Sequence, residues 1–373
     1  MVFCVKRVIS FLLVILIFCG VYQFDVGAVS AKAAVVINGD TGEILYSHNA
    51  DTRLPMASTT KIMTALLLCE LGGDLSRTIV TTPEMVTVEG SSMGLLAGDT
   101  VSLRDLLYGM MLPSGNDAAN TTAIVIGGSV DAFVGLMNNK AAQMGLHDTH
   151  FCTPSGLDAE GHYTTAYELA LIAREALKNE TFAEASASKT ATLNYGNPPY
   201  RRTLTNHNKL LRMYDDVVGV KTGFTKKSGR CLVSAARKDG KYVIAVTLND
   251  GNDWADHRTL LDSGLASIEV TECTVKGDAI DIDIANGGIL KAQISPKQFS
   301  VKLNSQITHE IITPQFLYAP LNAGEQVGEV RYYIGDNLIS TEPIVCDKKI
   351  NPKNTTFGFC LIEMFKYLLC LGV

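Results

Sequence analysis

Three short polar runs have residue types and spacing suited to covalent chemistry. The first is Ser58-Thr59-Thr60-Lys61. On a helix, residues i and i+3 share a face, so the Lys61 amine is expected beside the Ser58 hydroxyl. A free serine is a poor nucleophile and needs an adjacent base. A lysine can be that base once burial and neighbouring cations lower its pKa. The start of the same helix offers backbone N–H groups and a positive dipole end to developing negative charge. The second run is Ser114-Gly115-Asn116, in a turn before a helical stretch. Serine can relay a proton there, and the asparagine amide can hold a carbonyl. The third is Lys221-Thr222-Gly223, expected at the end of a strand and followed by Phe224. Lys and Thr can bind a carboxylate, and glycine lets a substrate backbone approach a strand closely.

Singly, these runs are weak signals. A chain of this length holds about one S-x-x-K, about one S-x-N and about a tenth of a K-T-G by chance. A second S-x-x-K does occur, from Ser186 to Lys189; no apolar helix follows it, and Thr190 and Thr192 are β-branched, so it reads as a solvated loop. Ser47-His48-Asn49 falls at a strand end with an ordinary pairing role, and Ser114 could equally cap a helix. Gly90-Ser91-Ser92-Met93-Gly94 fits the G-x-S-x-G elbow, which needs a strand before it and a helix after. Gly98-Asp99-Thr100 breaks the chain too soon, so this run is expected to be a loop. His162 is expected to make a polar loop contact, and Glu168 to be a helix-face carboxylate rather than the activator of a water. No His/Cys cluster has zinc-site spacing and no HExxH occurs, so neither a metal nor a cofactor is expected.

The elements that must position these groups are legible in outline. Residues 33–49 read as a hairpin with a Gly-bearing turn. Residues 58–71 read as a helix stopped by Gly72-Gly73, apolar nearly all round and so expected in the core. Further helices are expected over 102–111, 116–126, 129–144 and 254–268, and strands over 217–220, 231–237 and 241–248. Sheet pieces thus come from both ends of the region and a helical lobe sits between them, with a cleft as the natural site. From 269 to 346 the helical period disappears and alternating, β-rich runs take over, which reads as a small all-β module without a catalytic cluster.

The chain has 373 residues, 47% of them apolar, and a net charge of −6. That is the composition of a packed globular protein rather than a disordered one, and no basic block of nucleic-acid type occurs. The mean hydropathy of +0.16 is high, with the excess largely at the two ends. Residues 1–31 read as a signal peptide: Lys6 and Arg7, an apolar run over 8–21, then small residues with cleavage after Ala31 or Ala33. An uncleaved anchor is the alternative. Phe18 before Cys19 argues against a lipid-modified cysteine. Of nine cysteines, Cys4 and Cys19 leave with the signal; the other seven are scattered, and Cys273 and Cys346 could bracket the β-rich module. Residues 347–354 read as a linker. In 357–373, Glu363 and Lys366 would share one helix face opposite apolar residues, which suits a helix lying in a membrane interface.

The order and setting of the three runs are more telling than any one of them. The set S-x-x-K, S-x-N, K-T-G is shared by class A β-lactamases and penicillin-binding proteins. The chain resembles the serine-type D-Ala-D-Ala carboxypeptidases, the low-molecular-mass penicillin-binding proteins, over essentially its whole length. The resemblance is carried by Ala57-Ser-Thr-Thr-Lys-Ile-Met-Thr-Ala, Pro113-Ser-Gly-Asn-Asp-Ala-Ala, Pro154-Ser-Gly-Leu-Asp to Gly161-His-Tyr, and Gly219-Val-Lys-Thr-Gly-Phe-Thr. It implies a penicillin-binding/β-lactamase-like α/β fold: an antiparallel sheet flanked by helices with an all-α lobe over 32–268, an all-β domain over 269–346, and a linker and amphipathic anchor over 347–373. It implies that Ser58 attacks the penultimate D-Ala carbonyl, that Lys61 takes its proton, and that Ser114, with Lys221, passes a proton to the leaving D-Ala. Asn116 would position the substrate amide, Lys221 and Thr222 the terminal carboxylate. Gly223 would let the backbone close in, and the N–H groups of Ser58 and Phe224 would form the oxyanion hole. Peptidoglycan stem peptides, β-lactams and a membrane surface are the implied partners, on the outer face of a bacterial cytoplasmic membrane. A β-lactamase, for which no clear Glu-x-x-x-Asn element is present, a DD-endopeptidase or transpeptidase, and a non-turnover penicillin sensor are the alternatives.

Overall fold

The computed structural model describes residues 29–275, 279–285 and 288–352. The expected signal segment up to residue 28 and the expected terminal helix at 357–373 lie outside the described residues. The chain divides into two compact units. Of the described residues, one contains 29–37, Ile44–Ala236 and Ile244–Ser267; the other contains Asn38–Glu43, Arg237–Val243 and those from 268 to 352.

In the part of the chain up to 267, most of which is the first unit, β1 (Ala33–Asn38) is buried at every position, as a strand covered on both faces must be. Next come β2 (Ile44–His48), β3 (Thr78–Val80), β4 (Thr100–Ser102), β5 (Thr190–Gly196), β6 (Pro199–Thr205), β7 (Val217–Thr225), β8 (Gly229–Lys238) and β9 (Lys241–Leu248). They form a five-stranded sheet in the order β2-β1-β9-β8-β7 and a four-stranded sheet in the order β3-β4-β5-β6. The pairs β1–β2 and β7–β8 are antiparallel. β7 is therefore an edge strand, with one side of its backbone available.

The strand carrying Lys221-Thr222-Gly223 is longer than its apolar run suggests. The three residues lie inside β7, not at its end, because pairing with β8 continues to Thr225↔Gly229. The Thr225 N–H donates to Ser228 Oγ at 3.0 Å and closes the hairpin. The helix carrying Lys61 also differs from expectation. Ala57–Thr60 is a 3₁₀ turn, and the α-helix proper runs Lys61–Leu71 with its first eight residues buried. It packs against the Leu103–Met111, Asn116–Gly127 and Ala166–Ala176 helices. Serine or threonine caps fix several starts: Ser102 accepts from Asp105 N–H, Ser129 from Ala132 N–H and Thr165 from Glu168 N–H.

At the entry to β1, the Ser30 hydroxyl donates to Asp250 Oδ1 at 2.5 Å and its N–H to Asp256 Oδ2 at 2.7 Å. Cleavage after Ala31 or Ala33 would remove both contacts, and the second cut would also remove the first residue of β1.

The second unit holds β10 (Ile268–Cys273), β11 (Ala279–Ile284), β12 (Gly288–Gln293), β13 (Lys297–Lys302), β14 (Ile307–Ile312), β15 (Gln326–Ile334) and β16 (Asn337–Val345). They pair antiparallel as β10-β13, β11-β12 and β14-β15-β16. Leu290, Val301, Val330 and Tyr332 are central to its core. Cys273 and Cys346 are both buried in that core with free thiols, so the pairing considered from the sequence is not made.

Candidate active site

Ser58 stands in the 3₁₀ turn, where residues i and i+3 eclipse. The Lys61 Nζ consequently lies 3.0 Å from Ser58 Oγ. Lys61 is completely buried. Its Nζ also lies 2.7 Å from Asn116 Oδ1 and 2.7 Å from the Ser155 carbonyl oxygen. Burial holds its pKa well below the ordinary lysine value, and the nearby Lys221 charge pushes it the same way. A neutral amine has two N–H groups and one lone pair. Nζ thus touches three oxygens; in the neutral form two N–H groups can go to the carbonyl oxygens, and the lone pair can then face the Ser58 hydroxyl. That is the arrangement a general base requires.

Ser114 opens the other wall. Its backbone is in the left-handed region, at φ +64°, and its Oγ is buried without a hydrogen-bond partner. A lone hydroxyl in a polar site is free to accept and pass on a proton. Asn116 begins the next helix. Its Nδ2 donates to the Glu89 carbonyl at 2.7 Å, and its N–H to the Ser91 carbonyl at 2.7 Å. Both ends of the amide are thus engaged, one on Lys61 and one on the loop.

Lys221 is buried, and its Nζ donates to the Thr222 carbonyl at 3.0 Å. Burial pulls its pKa down to about 7. Gly223 lies where β7 meets the 3₁₀ turn. A Cβ there would sit 3.1 Å from Met56 O, Ser58 N and Thr59 N, tighter than ordinary packing allows. This contact brings the edge strand against Ser58. Ser58, Ser114, Thr222, Gly223 and Phe224 line a cleft of about 500 Å³.

Ser91, His207, Arg230, Asp253 and Trp254 complete the lining; Ser91 lies in the G-x-S-x-G run that reads as a loop, and no motif points to the other four. Arg230 pairs with Asp253 at 2.5 Å and lies over the Trp254 ring. Ser155, which holds Lys61, was missed for a different reason: it acts through its carbonyl, and side-chain motifs do not register backbone groups.

The G-x-S-x-G run is a loop, as its surroundings suggested, but it supports the site. The buried Asp117 carboxylate accepts from the Ser92 hydroxyl (2.5 Å) and from the N–H groups of Met93 (2.9 Å), Gly94 (3.0 Å) and Leu95 (3.0 Å). It thereby fixes the loop whose carbonyls orient Asn116. Glu168 accepts from the N–H groups of His147 and Asp148 and from the Thr149 hydroxyl, which accounts for its carboxylate structurally. His162 is buried behind Thr60 and does not line the cleft. Among the described residues, no set of three His, Cys, Asp or Glu side chains converges as a metal site.

The site has the parts of an acyl-transfer enzyme that forms a serine ester, set in an α/β domain with a helical lobe. Comparison with known proteins agrees. Residues 22–252 match the family model for D-alanyl-D-alanine carboxypeptidases, and residues 275–352 that for the C-terminal domain of penicillin-binding protein 5. The chain is 31% identical over 347 residues to the D-alanyl-D-alanine carboxypeptidase DacC of Escherichia coli, covering 85% of this chain and 84% of the relative. It is 39% identical over 220 residues to DacF of Bacillus subtilis, covering 58% of this chain and 56% of that relative, so this match spans about half of DacF. The solved carboxypeptidase DacD of Francisella tularensis superposes with a TM-score of 0.64 at 27% identity, covering 89% of this chain and 96% of that one. The Streptomyces K15 DD-transpeptidase does so with 0.62 at 34% identity, covering 64% and 98%. The chain belongs to the D-alanyl-D-alanine carboxypeptidase family, the low-molecular-mass penicillin-binding proteins, and is a serine-type hydrolase.

Proposed function

We propose that this chain removes the terminal D-alanine from peptidoglycan stem peptides, with Ser58 as nucleophile and Lys61 as its base. The observation that carries this is the fully buried Lys61 amine, 3.0 Å from Ser58 Oγ and 2.7 Å from each of two carbonyl oxygens. Ser58 Oγ attacks the carbonyl carbon of the penultimate D-Ala as its proton moves to Lys61. The oxyanion is held by the N–H groups of Ser58 and Phe224. Collapse breaks the C–N bond, and the leaving amine takes a proton delivered through Ser114 from the Lys61–Lys221 side. Water then attacks the ester with Lys61 again as base, and the shortened peptide departs.

The substrate extends along β7, whose free edge can pair with a peptide backbone. Lys221 and Thr222 receive its terminal carboxylate. Asn116 keeps Lys61 aimed and positions the substrate amide when the cleft is filled. A β-lactam enters the same route: Ser58 opens the ring, and the acyl group remains on its oxygen. The fact that the K15 neighbour is named a DD-transpeptidase favours one second reading, in which an amine rather than water accepts the acyl group.

Export and attachment complete the proposal. Residues 1–31 carry the chain across the membrane, and residues 357–373 attach it to the outer face of the cytoplasmic membrane. Deletion of 357–373 is expected to release the protein into the soluble fraction; continued sedimentation with membranes would remove the anchor. For the chemistry, the test is D-alanine release from a D-Ala-D-Ala peptide, together with mapping of a penicillin adduct by mass spectrometry. Release with the adduct on Ser58 is expected, and an adduct on any other residue would overturn the assignment.

A further inference from the structure

In the peptide unit joining Ala57 to Ser58, the nitrogen lies against Gly223 of the cleft wall, where a Cβ would come within 3.1 Å of it, and the carbonyl is held by buried Thr60. The carbonyl side is more elaborately held than a simple turn requires. Thr60 Oγ1 lies 2.8 Å from the Ala57 carbonyl oxygen and 2.8 Å from His162 Nε2. His162 Nδ1 accepts from the Cys152 N–H at 2.9 Å. Both Thr60 and His162 are buried, and the Phe151 ring packs edge-on against the imidazole. Ala57 is in the left-handed region at φ +49°. Gly156 is pressed onto the same carbonyl, since a Cβ there would fall 1.9 Å from Ala57 O.

The protons along these hydrogen bonds can be assigned. Nδ1 accepts a hydrogen bond and so carries no proton. Burial pulls the His162 pKa down to about 4, so near neutral pH the ring is uncharged and its one N–H is on Nε2. That N–H donates to Thr60 Oγ1, and the Thr60 hydroxyl proton is then directed at the Ala57 carbonyl. Successive hydrogen bonds polarise one another, and a carbonyl that accepts one makes the N–H of its own peptide a stronger donor.

We propose that His162 and Thr60 are positioning residues for the oxyanion hole: the relay from His162 through Thr60 to the Ala57 carbonyl orients and polarises the peptide whose N–H, on Ser58, receives the oxyanion. Neither side chain touches substrate; both act through the Ala57–Ser58 peptide. The effect belongs to the transition state, where the charge on oxygen develops, and not to ground-state binding. The inference rests on Ser58 being the nucleophile.

The experiment uses the full chain and a D-Ala-D-Ala peptide. Loss of a direct oxyanion donor costs about 10²–10³-fold in rate, so loss of its support is expected to cost about 10-fold. Thr60→Val is expected to lower kcat by about that factor with KM within about twofold, and to weaken a boronic acid that mimics the tetrahedral adduct by a similar factor. Thr60→Ser, which restores the hydroxyl, is expected to recover both. Wild-type kcat in Thr60→Val, or a loss that falls on KM alone, would overturn the proposal. If Thr60→Val does not fold, ¹⁵N NMR of the wild-type His162 ring decides: the Nε2–H tautomer supports the relay, and the Nδ1–H tautomer or an imidazolium at neutral pH overturns it. D-alanine release by Ser58→Ala would instead overturn the nucleophile assignment, a result distinct from wild-type kcat in Thr60→Val.

Discussion

Two stretches of this chain share the pattern S-x-x-K and have opposite fates. In the first, the 3₁₀ turn at Ala57–Thr60 passes directly into the Lys61–Leu71 helix, so Lys61 turns back over Ser58 and is fully buried. In the second, Ser186 lies in the last turn of the Glu180–Ala187 helix and is itself buried. The chain then leaves at Ser188 in an extended conformation, with ψ 122°, and Lys189 is exposed. The solvated loop expected from the sequence is thus half right. Ser186 is core, with its Oγ donating to the Ala183 carbonyl at 3.0 Å, and only the lysine is in water. The spacing does not make the site. The backbone path after the serine decides whether the lysine is desolvated, and desolvation is the property a lysine base needs.

The largest expected effect contrasts the two serines. Ser58→Ala is expected to lower D-alanine release by about 10⁴-fold or more, since the covalent route is lost. Ser186→Ala is expected to stay within about twofold of wild type, as for a residue outside the chemistry. A surviving rate in Ser58→Ala, measured by the same assay, would end the comparison. The lysines come next. Lys61→Ala is expected to lower acylation by a fluorescent penicillin by roughly 10³-fold, within the range for removal of a general base, with the circular dichroism of the folded protein kept. Lys189→Ala is expected to acylate normally. Equal acylation by the two lysine variants would show that burial of Lys61 has no catalytic meaning.

The same contrast shows how far the sequence was legible. The pairing of Ser58 with Lys61, the helical lobe between sheet pieces and the β-rich second unit can be read from residue types and periodicity. Their signals are local: a helix start, a Gly stop, an alternation of period two. The extent of β7 past Gly223 was not legible, because Thr225 and Gly229 look like turn residues and pair only through tertiary context. Nor were Ser155, Ser91 and the Asp117-held loop, which act through backbone carbonyls or N–H groups that every residue possesses. Arg230, Asp253 and Trp254 reach the cleft from β8 and the helix after β9 by folding alone, without a spacing that marks them.

A third prediction sharpens the role of desolvation. Lys221 has its pKa pulled down to about 7 by burial, against about 10.4 for an unfolded lysine. Between these values the unfolded chain binds a proton that the folded chain does not, so this group makes stability rise with pH over that window. Below pH 7 both states bind the proton and the dependence vanishes. Chemical denaturation of wild type and Lys221→Met at pH 7 and pH 9 tests this. The stability of wild type relative to the variant is expected to increase by about 2 kcal/mol over that interval. A constant difference would mean that the buried amine remains an ammonium, and the same doubt would then fall on Lys61.

The smallest expected effect returns to the second serine and tests whether its burial is only structural. Ser186→Ala removes one buried hydrogen bond to the Ala183 carbonyl and leaves no donor unsatisfied, a loss of about 1 kcal/mol. In a unit of this size that corresponds to a melting point lowered by about 2–4 °C. Yet Ser186 is not remote from the site in structure. A Cβ on Gly219 would lie 3.0 Å from Ser186 Oγ, and Gly219 is two residues before Lys221 on the same edge strand. A small loss of stability with unchanged acylation would show that β7 is held by its ladder to β8 and does not depend on this contact. A fall in acylation greater than the change in melting point explains would break the separation between the two motifs. It would make the non-catalytic S-x-x-K a support for the strand that carries Lys221, Thr222 and Gly223.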